Sequence, residues 1–221
     1  MGNTLTIFDL DNTLIQGDSS TVWSQFMVRE GLATQKGYLA REARLMADYD
    51  RGEMNIADYV ALIQAPLAGI PKSDVDALVA RCVREAILPR VYPQAWELIR
   101  RLRAEGEQML IISASVSLLV QAVAAALGID QALGIDVEMV DGGYSGVIAG
   151  IPSYQQGKVA RLAQWREAHP QYDGEVTFYT DSINDLPLCL HADRVRLVNP
   201  CPQLQAAGAG YGWPVLSWRL E

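Results

Sequence analysis

Histidine and cysteine are scarce in this chain of 221 residues, with two of the first and three of the second. His169 stands beside Pro170 in a predicted loop, and His191 at a predicted helix end. No Gly-x-Ser-x-Gly turn accompanies them, so a serine–histidine hydrolase is disfavoured. Cys82, Cys189 and Cys201 are widely separated, with no Cys-x-x-Cys and no histidine at ligand spacing. That pattern argues against a disulfide framework or a structural zinc site and makes a reducing cytoplasm the expected compartment. Basic residues are in deficit: 18 Lys and Arg against 26 Asp and Glu leave a net charge of −8. Only Arg100, Arg101 and Arg103 cluster, on what reads as a solvated helix face, so no nucleic-acid partner is expected. The longest apolar stretch, Val116–Ile129, is broken by Ser117 and Gln121 and is too short to cross a bilayer. No charged leader precedes an apolar core, so neither export nor a membrane partner is expected. Met1–Thr6 matches the loose N-myristoylation pattern, but a strand starting near Leu5 leaves almost no tether, and no lipid is expected.

What the chain does have is apolar material. Half its residues are hydrophobic and a fifth are charged, enough for one large domain or a core with a modest insert. Thr4–Phe8 is a short apolar run that reads as a buried parallel strand. From about Thr21 to Ala86 the period becomes helical, with Val22, Phe26 and Met27, then Leu39, Ala43 and Met46, then Ile56, Tyr59, Val60 and Ile63. Pro66, Gly69 and Pro71 punctuate the end of this stretch, and Ser73 is placed to cap a helix through Val83. Alternation then resumes: helix Tyr92–Ala104, strand Gln108–Ser113, helix Val116–Leu127, and a hairpin of Gly134–Met139 and Gly143–Val147. Helix Gln155–Ala168, strand Glu175–Thr180, helix Ile183–Ala192 and strand Val195–Val198 follow. Such alternation predicts an α/β fold, a Rossmann-like doubly wound parallel sheet. Its core is expected from residues 1–16 and 90–221, with a helical insert over 17–89.

Polar residues concentrate at the predicted strand ends, where open α/β sheets carry their chemistry. The first strand runs into Asp9-Leu10-Asp11-Asn12-Thr13. Two carboxylates there favour a cation, although Asp and Asn also start ordinary turns. The second strand ends in Ser113-Ala114-Ser115, small residues before a helix whose free N–H groups suit a phosphate. Ser115 is expected to be an N-cap there. Strand Glu175–Thr180 leads into Asp181-Ser182-Ile183-Asn184-Asp185, with Asp181 and Asp185 one helical turn apart. Gly157-Lys158 opens an amphipathic helix between these strands; a lone lysine in such a place is ordinarily a surface residue.

In order along the chain, acid pair, hydroxyl, lysine and acid pair, these motifs closely resemble the haloacid dehalogenase-like hydrolases, whose pattern is D-x-D-x-[TV], [ST], K and (G)D-x-x-x-D. The likeness covers the whole chain, and an all-helical cap just after the first motif is similar to the phosphoserine-phosphatase-like branch. The resemblance implies a Mg²⁺-dependent phosphatase acting through an aspartyl-phosphate. Asp9 is then the nucleophile, Asp11 the acid and base, and Lys158, Ser113 and the backbone at Ala114 the phosphate-binding groups. Asp9, Asp181 and the Asp11 carbonyl become metal ligands, with Asp185 behind them, and Asn184 contacts phosphate or substrate. Thr180 replaces a frequent glycine, which puts little in doubt because its side chain need not enter the site. A phosphotransferase of the same fold and a non-catalytic metal- or partner-binding module are the alternatives; the intact motif speaks against the second.

The cap carries the substrate question. By resemblance to phosphoserine phosphatases, Asp18 is placed to meet a substrate amine, though Asp18-Ser19-Ser20 is also helix-start chemistry. Gly52-Glu53-Met54-Asn55-Ile56 aligns with the family segment that precedes an arginine for the substrate carboxylate, but Ile63 falls where that arginine is expected. A buried carboxylate without a partner costs several kcal/mol. Phosphoserine is therefore disfavoured unless Arg41, Arg44 or Arg51 substitutes, and an amine-bearing phosphate without a carboxylate, such as histidinol phosphate, suits Asp18 better. The expected partner is a small-molecule phosphate ester, and the expected assembly a monomer or homodimer.

Overall fold

A computed structural model describes residues 3–220. Gly2, on which the myristoylation pattern depends, lies outside the described residues. In chain order the elements are β1 (Leu5–Phe8), α1 (Ser19–Arg29), α2 (Tyr38–Asp50), α3 (Ile56–Gln64), α4 (Lys72–Cys82), α5 (Pro93–Ala104), β2 (Gln108–Val116), α6 (Ser117–Leu127), β3 (Gln131–Ile135), β4 (Val137–Val140), β5 (Gly143–Ile148), α7 (Gln156–Ala168), β6 (Val176–Thr180), α8 (Leu186–His191), β7 (Arg194–Val198), α9 (Pro202–Ala209) and β8 (Val215–Leu216). One sheet runs β3-β2-β1-β6-β7-β8, and every pairing in it is parallel. The doubly wound parallel sheet expected from the alternation is the fold of the chain.

β1 is central because its short apolar run is buried on both faces. Leu5 and Ile7 join Leu162, Phe178, Leu188 and Leu204 under α7, α8 and α9. Phe8 joins Ile111, Ile99 and Leu119 under α5 and α6. That second cluster continues without interruption through Trp23, Phe26, Val60, Ile63 and Val79 of the helices between β1 and β2. The chain leaves and re-enters the sheet region side by side: Gln16 N–H donates to Arg90 O at 2.8 Å and Tyr92 N–H to Leu14 O at 3.0 Å.

Several boundaries differ from the sequence reading. Gly134 does not open the hairpin but belongs to β3, an edge strand of the main sheet. A Cβ there would come within 2.8 Å of the Ser115 carbonyl oxygen, so only glycine allows β3 so close to β2 and α6. The hairpin proper is β4 and β5, and it packs on α3. Pro71, rather than Ser73, occupies the N-cap of α4, and the Ser73 hydroxyl turns to Asp74. β2 runs to Val116 through an irregular register with β3, so Ser115 is a strand residue and caps no helix. Here continued pairing with the edge strand overrides the capping chemistry of a serine. The cysteines are free, with Cys82 and Cys189 buried.

Candidate active site

Parallel sheets place ligands beyond the carboxyl ends of their strands where strand order reverses, here between β1 and β6. Asp9 follows β1 directly, and its N–H extends the ladder by donating to Tyr179 O at 2.9 Å. The chain then folds back sharply. Leu14 N–H donates to Leu10 O, and Asn12 takes a left-handed φ of 53° while its Oδ1 accepts from Gly17 N–H at 3.0 Å. Asparagine tolerates that conformation better than most residues, which explains its place after Asp11. The turn brings the Thr13 hydroxyl back between two carboxylates, 3.4 Å from Asp9 Oδ2 and 3.3 Å from Asp181 Oδ1.

Lys158 is not the surface residue that a lone lysine at a helix start suggests. It is fully buried, with Nζ 2.8 Å from Asp9 Oδ1 and 2.6 Å from Asp185 Oδ1. The Asp185 contact is an ion pair outside hydrogen-bond directions, since that oxygen has no hydrogen-bond partner. The loop before α7 must wind tightly to deliver the lysine, and Gly157 makes this possible: a Cβ there would fall 1.9 Å from Pro152 O. Burial alone would lower the Lys158 pKa, but Asp185 and Asp9 outweigh it and keep the ammonium charged.

Asp11 stands half-open beside this pair. Its Oδ1 accepts from Ser19 N–H at 2.6 Å, and its Oδ2 from Ser115 Oγ at 2.9 Å and Ser113 Oγ at 3.4 Å. Ser115 Oγ also lies 3.2 Å from Ser19 Oγ and 3.0 Å from Ser20 Oγ. This hydroxyl cluster fixes the direction of the Asp11 carboxylate. Ala114 and Ser115 line the adjoining space together with Asp11, Asp18, Met46 and Tyr49. Thr180, whose side chain need not have entered the site, does reach it: its Oγ1 donates to Asp185 Oδ2 at 2.7 Å. Asp185 lacks exposure altogether, and the hydroxyl of Thr180, the last residue of β6, meets the oxygen that Lys158 does not approach.

Four carboxylates and one ammonium make the cleft strongly negative. Burial, with repulsion from Asp185 and Asp11, raises Asp9 to about 7 against the pull of Lys158. Burial also raises Asp11, although its Ser19 and Ser115 hydrogen bonds oppose the shift. Asp181 goes well above the ordinary range through burial and the charges of Asp9 and Asp185. Asp18 behaves likewise through burial and the Asp11 charge, while its Oδ1 caps α1 by accepting from Thr21 N–H at 2.7 Å. Asp18 is thus the N-cap of α1 and also lines the cleft.

A cavity of about 190 Å³ opens above these acids, lined by Asp11, Asn12, Asp18, Thr21, Met46, Tyr49, Asp50 and Asp181. No arginine lines it. Arg51 is bound to Asp48 and Glu53, Arg41 to Gln35, and Arg44 lines a separate hollow with Asp58 and Leu62. Neither histidine lines it: His169 stacks on Trp165, and His191 ends α8 at the surface. Asn184 is close by, but Nδ2 donates to Tyr49 O at 2.8 Å and Oδ1 accepts from Tyr154 and Gln155, so both ends of its amide are committed to protein. Among the described residues no three carboxylates converge on one point, because Lys158 separates Asp9 from Asp185. The donor set nevertheless fits a hard divalent cation: it is all oxygen, in excess negative charge, and strained by like-charge repulsion that such an ion would relieve.

Comparison with known proteins adds five findings. The family model described as haloacid dehalogenase-like hydrolase matches residues 6–189. A histidinol-phosphatase of Neisseria meningitidis is 34% identical over 219 residues, covering 97% of this chain and 99% of that protein. A phosphoserine phosphatase of Mycobacterium tuberculosis is 27% identical, covering 96% of this chain and 70% of that one. The crystal structure of a protein of unknown function from Bordetella pertussis superposes with a TM-score of 0.88 at 32% identity, over 98% of this chain and 99% of the other. A phosphoserine phosphatase holding a phospho-aspartyl intermediate analogue gives 0.68 at 18% identity, covering 93% and 91%, a likeness of fold alone. Described helices are all too short or too polar to cross a membrane.

Proposed function

The chain belongs to the haloacid dehalogenase-like hydrolases and is a phosphatase, and from that premise we propose that it hydrolyses a small amine-bearing phosphate monoester through an aspartyl-phosphate. The observation that carries the reading is the buried contact of Lys158 with Asp9, beside an Asp11 whose carboxylate three serines orient. Asp9 attacks phosphorus, the bond to the leaving oxygen breaks, and Asp11 gives that oxygen its proton. Asp11 then takes a proton from water, which attacks the aspartyl-phosphate and frees inorganic phosphate. A carboxyl whose pKa is raised by burial is suited to carrying a proton in both directions. Lys158, the Ser113 hydroxyl and the N–H group at Ala114 offset charge on the phosphoryl oxygens. Mg²⁺ is the cofactor we assign, held by Asp9, Asp181 and the Asp11 carbonyl, with Asp185 behind. When bound it supplies positive charge to the phosphoryl group and the carboxylates around it. Residues 17–89 are taken as a cap that closes over this centre.

Histidinol phosphate is the substrate we favour. The cavity presents Asp18 and Asp50 to a cationic group and no guanidinium to a carboxylate. The Neisseria relative bears the name of that activity. Free thiols suit a cytoplasmic setting. The test is Mg²⁺-dependent turnover of an aryl phosphate, with kcat/KM compared for histidinol phosphate and phosphoserine. Asp9→Asn should abolish turnover by more than a thousandfold in a protein that remains folded. Activity that survives this change removes Asp9 as the nucleophile, and a clear preference for phosphoserine removes the substrate.

A further inference from the structure

Gln155 lies next to the cleft with a strained backbone and has no part in the chemistry above. It sits at φ 49°, ψ −123°, a conformation that glycine adopts readily and a side chain resists. Strain of this kind costs about 1–3 kcal/mol and persists only where surrounding contacts hold it. The contacts here all point one way. Gln155 Nε2 lies 3.1 Å from Gly52 O, 3.1 Å from Tyr154 Oη and 3.2 Å from Asn184 Oδ1. Buried Asn184 donates from Nδ2 to Tyr49 O at 2.8 Å. The Tyr154 hydroxyl meets the Met54 backbone, and its ring lies 5.8 Å from that of Tyr49. Two amides and a phenol from outside the helical insert thus grip one segment, 49–54, the last residues of α2 and the turn that leads to α3. Glycine at position 52 lets the grip close: with φ +74°, a Cβ there would be 3.3 Å from Asn184 Oδ1.

Tyr49 and Met54 of that segment face the acids, Tyr49 beside both Asp18 and Asp181. We propose that Gln155, with Asn184 and Tyr154, is a positioning clasp that sets the Tyr49–Met54 wall against the bound leaving group and so selects the substrate. The clasp acts through the wall and touches no reacting atom. This rests on the phosphatase reading for its kinetic consequence, but the grip itself is measurable without turnover.

Gln155→Ala and Gln155→Gly separate position from folding. The glycine variant relieves the backbone, so it is expected to fold at least as stably as the wild type. Hydrogen exchange of the Gly52 and Glu53 amides should accelerate about tenfold in both variants, while amides of α6 keep their rates. Both should lose about tenfold in kcat/KM for histidinol phosphate, mainly through KM. For p-nitrophenyl phosphate, whose leaving group has no amine to place, the loss should stay under twofold. Gln155→Asn, which keeps a shorter amide, should recover part of the loss. Unchanged exchange at 52–53 would overturn the clasp, as would equal losses on both substrates, which would assign Gln155 to the chemistry. If the wild type turns over neither ester, the functional reading fails and the exchange rates alone decide the clasp.

Discussion

Glu42 offers a sharp test of whether the cleft holds its negative charge at a cost to the fold. The side chain lies on α2, only 3% exposed, and its one hydrogen bond is from Thr21 Oγ1 at 2.5 Å. Burial raises its pKa above the ordinary glutamate value; the Thr21 hydroxyl offsets part of that, and no cation contributes. A carboxyl that holds its proton more tightly in the folded chain than in the unfolded one stabilises the fold below its unfolded pKa. That contribution is lost as pH rises through the folded value. Glu42→Gln keeps an oxygen for Thr21 and removes the titration. Relief of a buried charge satisfied by one hydroxyl is worth on the order of 1 kcal/mol, by analogy with the penalty for imperfectly paired polar burial. In a chain of this size that moves the melting temperature by about 2–4 °C. The variant is therefore expected to melt higher than the wild type at pH 8, and the gap should narrow as the pH is lowered toward 5.

The same charge has a second consequence, because Glu42 is one of the groups that raise Asp18. A charge one layer behind the cavity is screened to about 0.5–1 kcal/mol, so Glu42→Gln eases the ionisation of Asp18 and should lower KM for an amine-bearing phosphate by about two- to fivefold. Turnover of an aryl phosphate should not change. Thermal melts from pH 5 to 8 and steady-state kinetics on both esters measure the two effects separately. A variant that melts lower than the wild type at pH 8 refutes the buried-charge argument. One that melts higher but binds the amine as before refutes the link to Asp18.

Thr180→Gly removes the donor to Asp185 Oδ2 and loosens a central strand, with an expected cost of about 1–2 kcal/mol in urea denaturation and a lower kcat; Thr180→Ser should restore most of both. Gly157→Ala forces the loop at Pro152 to move and displaces Lys158, so turnover should fall at least tenfold even where circular dichroism shows an intact fold. Chelation should abolish turnover, and Mg²⁺ should restore it and raise the melting temperature in proportion to log[Mg²⁺] above its Kd. A chelated enzyme of full activity would remove the metal from the mechanism.

Legibility from sequence divides along physical lines. β1, β2 and β6 were readable because a strand buried on both faces must be a continuous apolar run, and the acids at their ends were conspicuous against it. β3 was not readable: Gln131–Ile135 is a partly buried edge strand of five residues, and its Gly134 signals close approach only once the backbone of Ser117 is seen beside it. Lys158 carried a family signal, but nothing local foretold a fully buried ammonium, since a helix start is where charged residues are usually solvated. Thr180 misled for the opposite reason: read as a substitution for glycine, it looked inert, whereas strand alternation directs its hydroxyl at Asp185.

The cap was the least legible part, and the reason bears on how substrate choice arises. Helical periodicity located α1, α2 and α3 but says only which face is buried, and that face packs into the same cluster as the sheet. What shapes the cavity is the other face and the joint between helices, where main-chain carbonyls at Tyr49 and Gly52 meet Asn184 and Gln155 across more than a hundred residues of sequence. Backbone acceptors carry no residue identity, so no motif can announce them. Asp18 could be singled out because its chemistry is its own; the wall opposite it is set by contacts that any residue at position 49 could offer from its carbonyl. The acids and lysine of the candidate site are thus legible as side chains at strand ends, whereas the wall at residues 49–54 is held through main-chain acceptors that no motif announces.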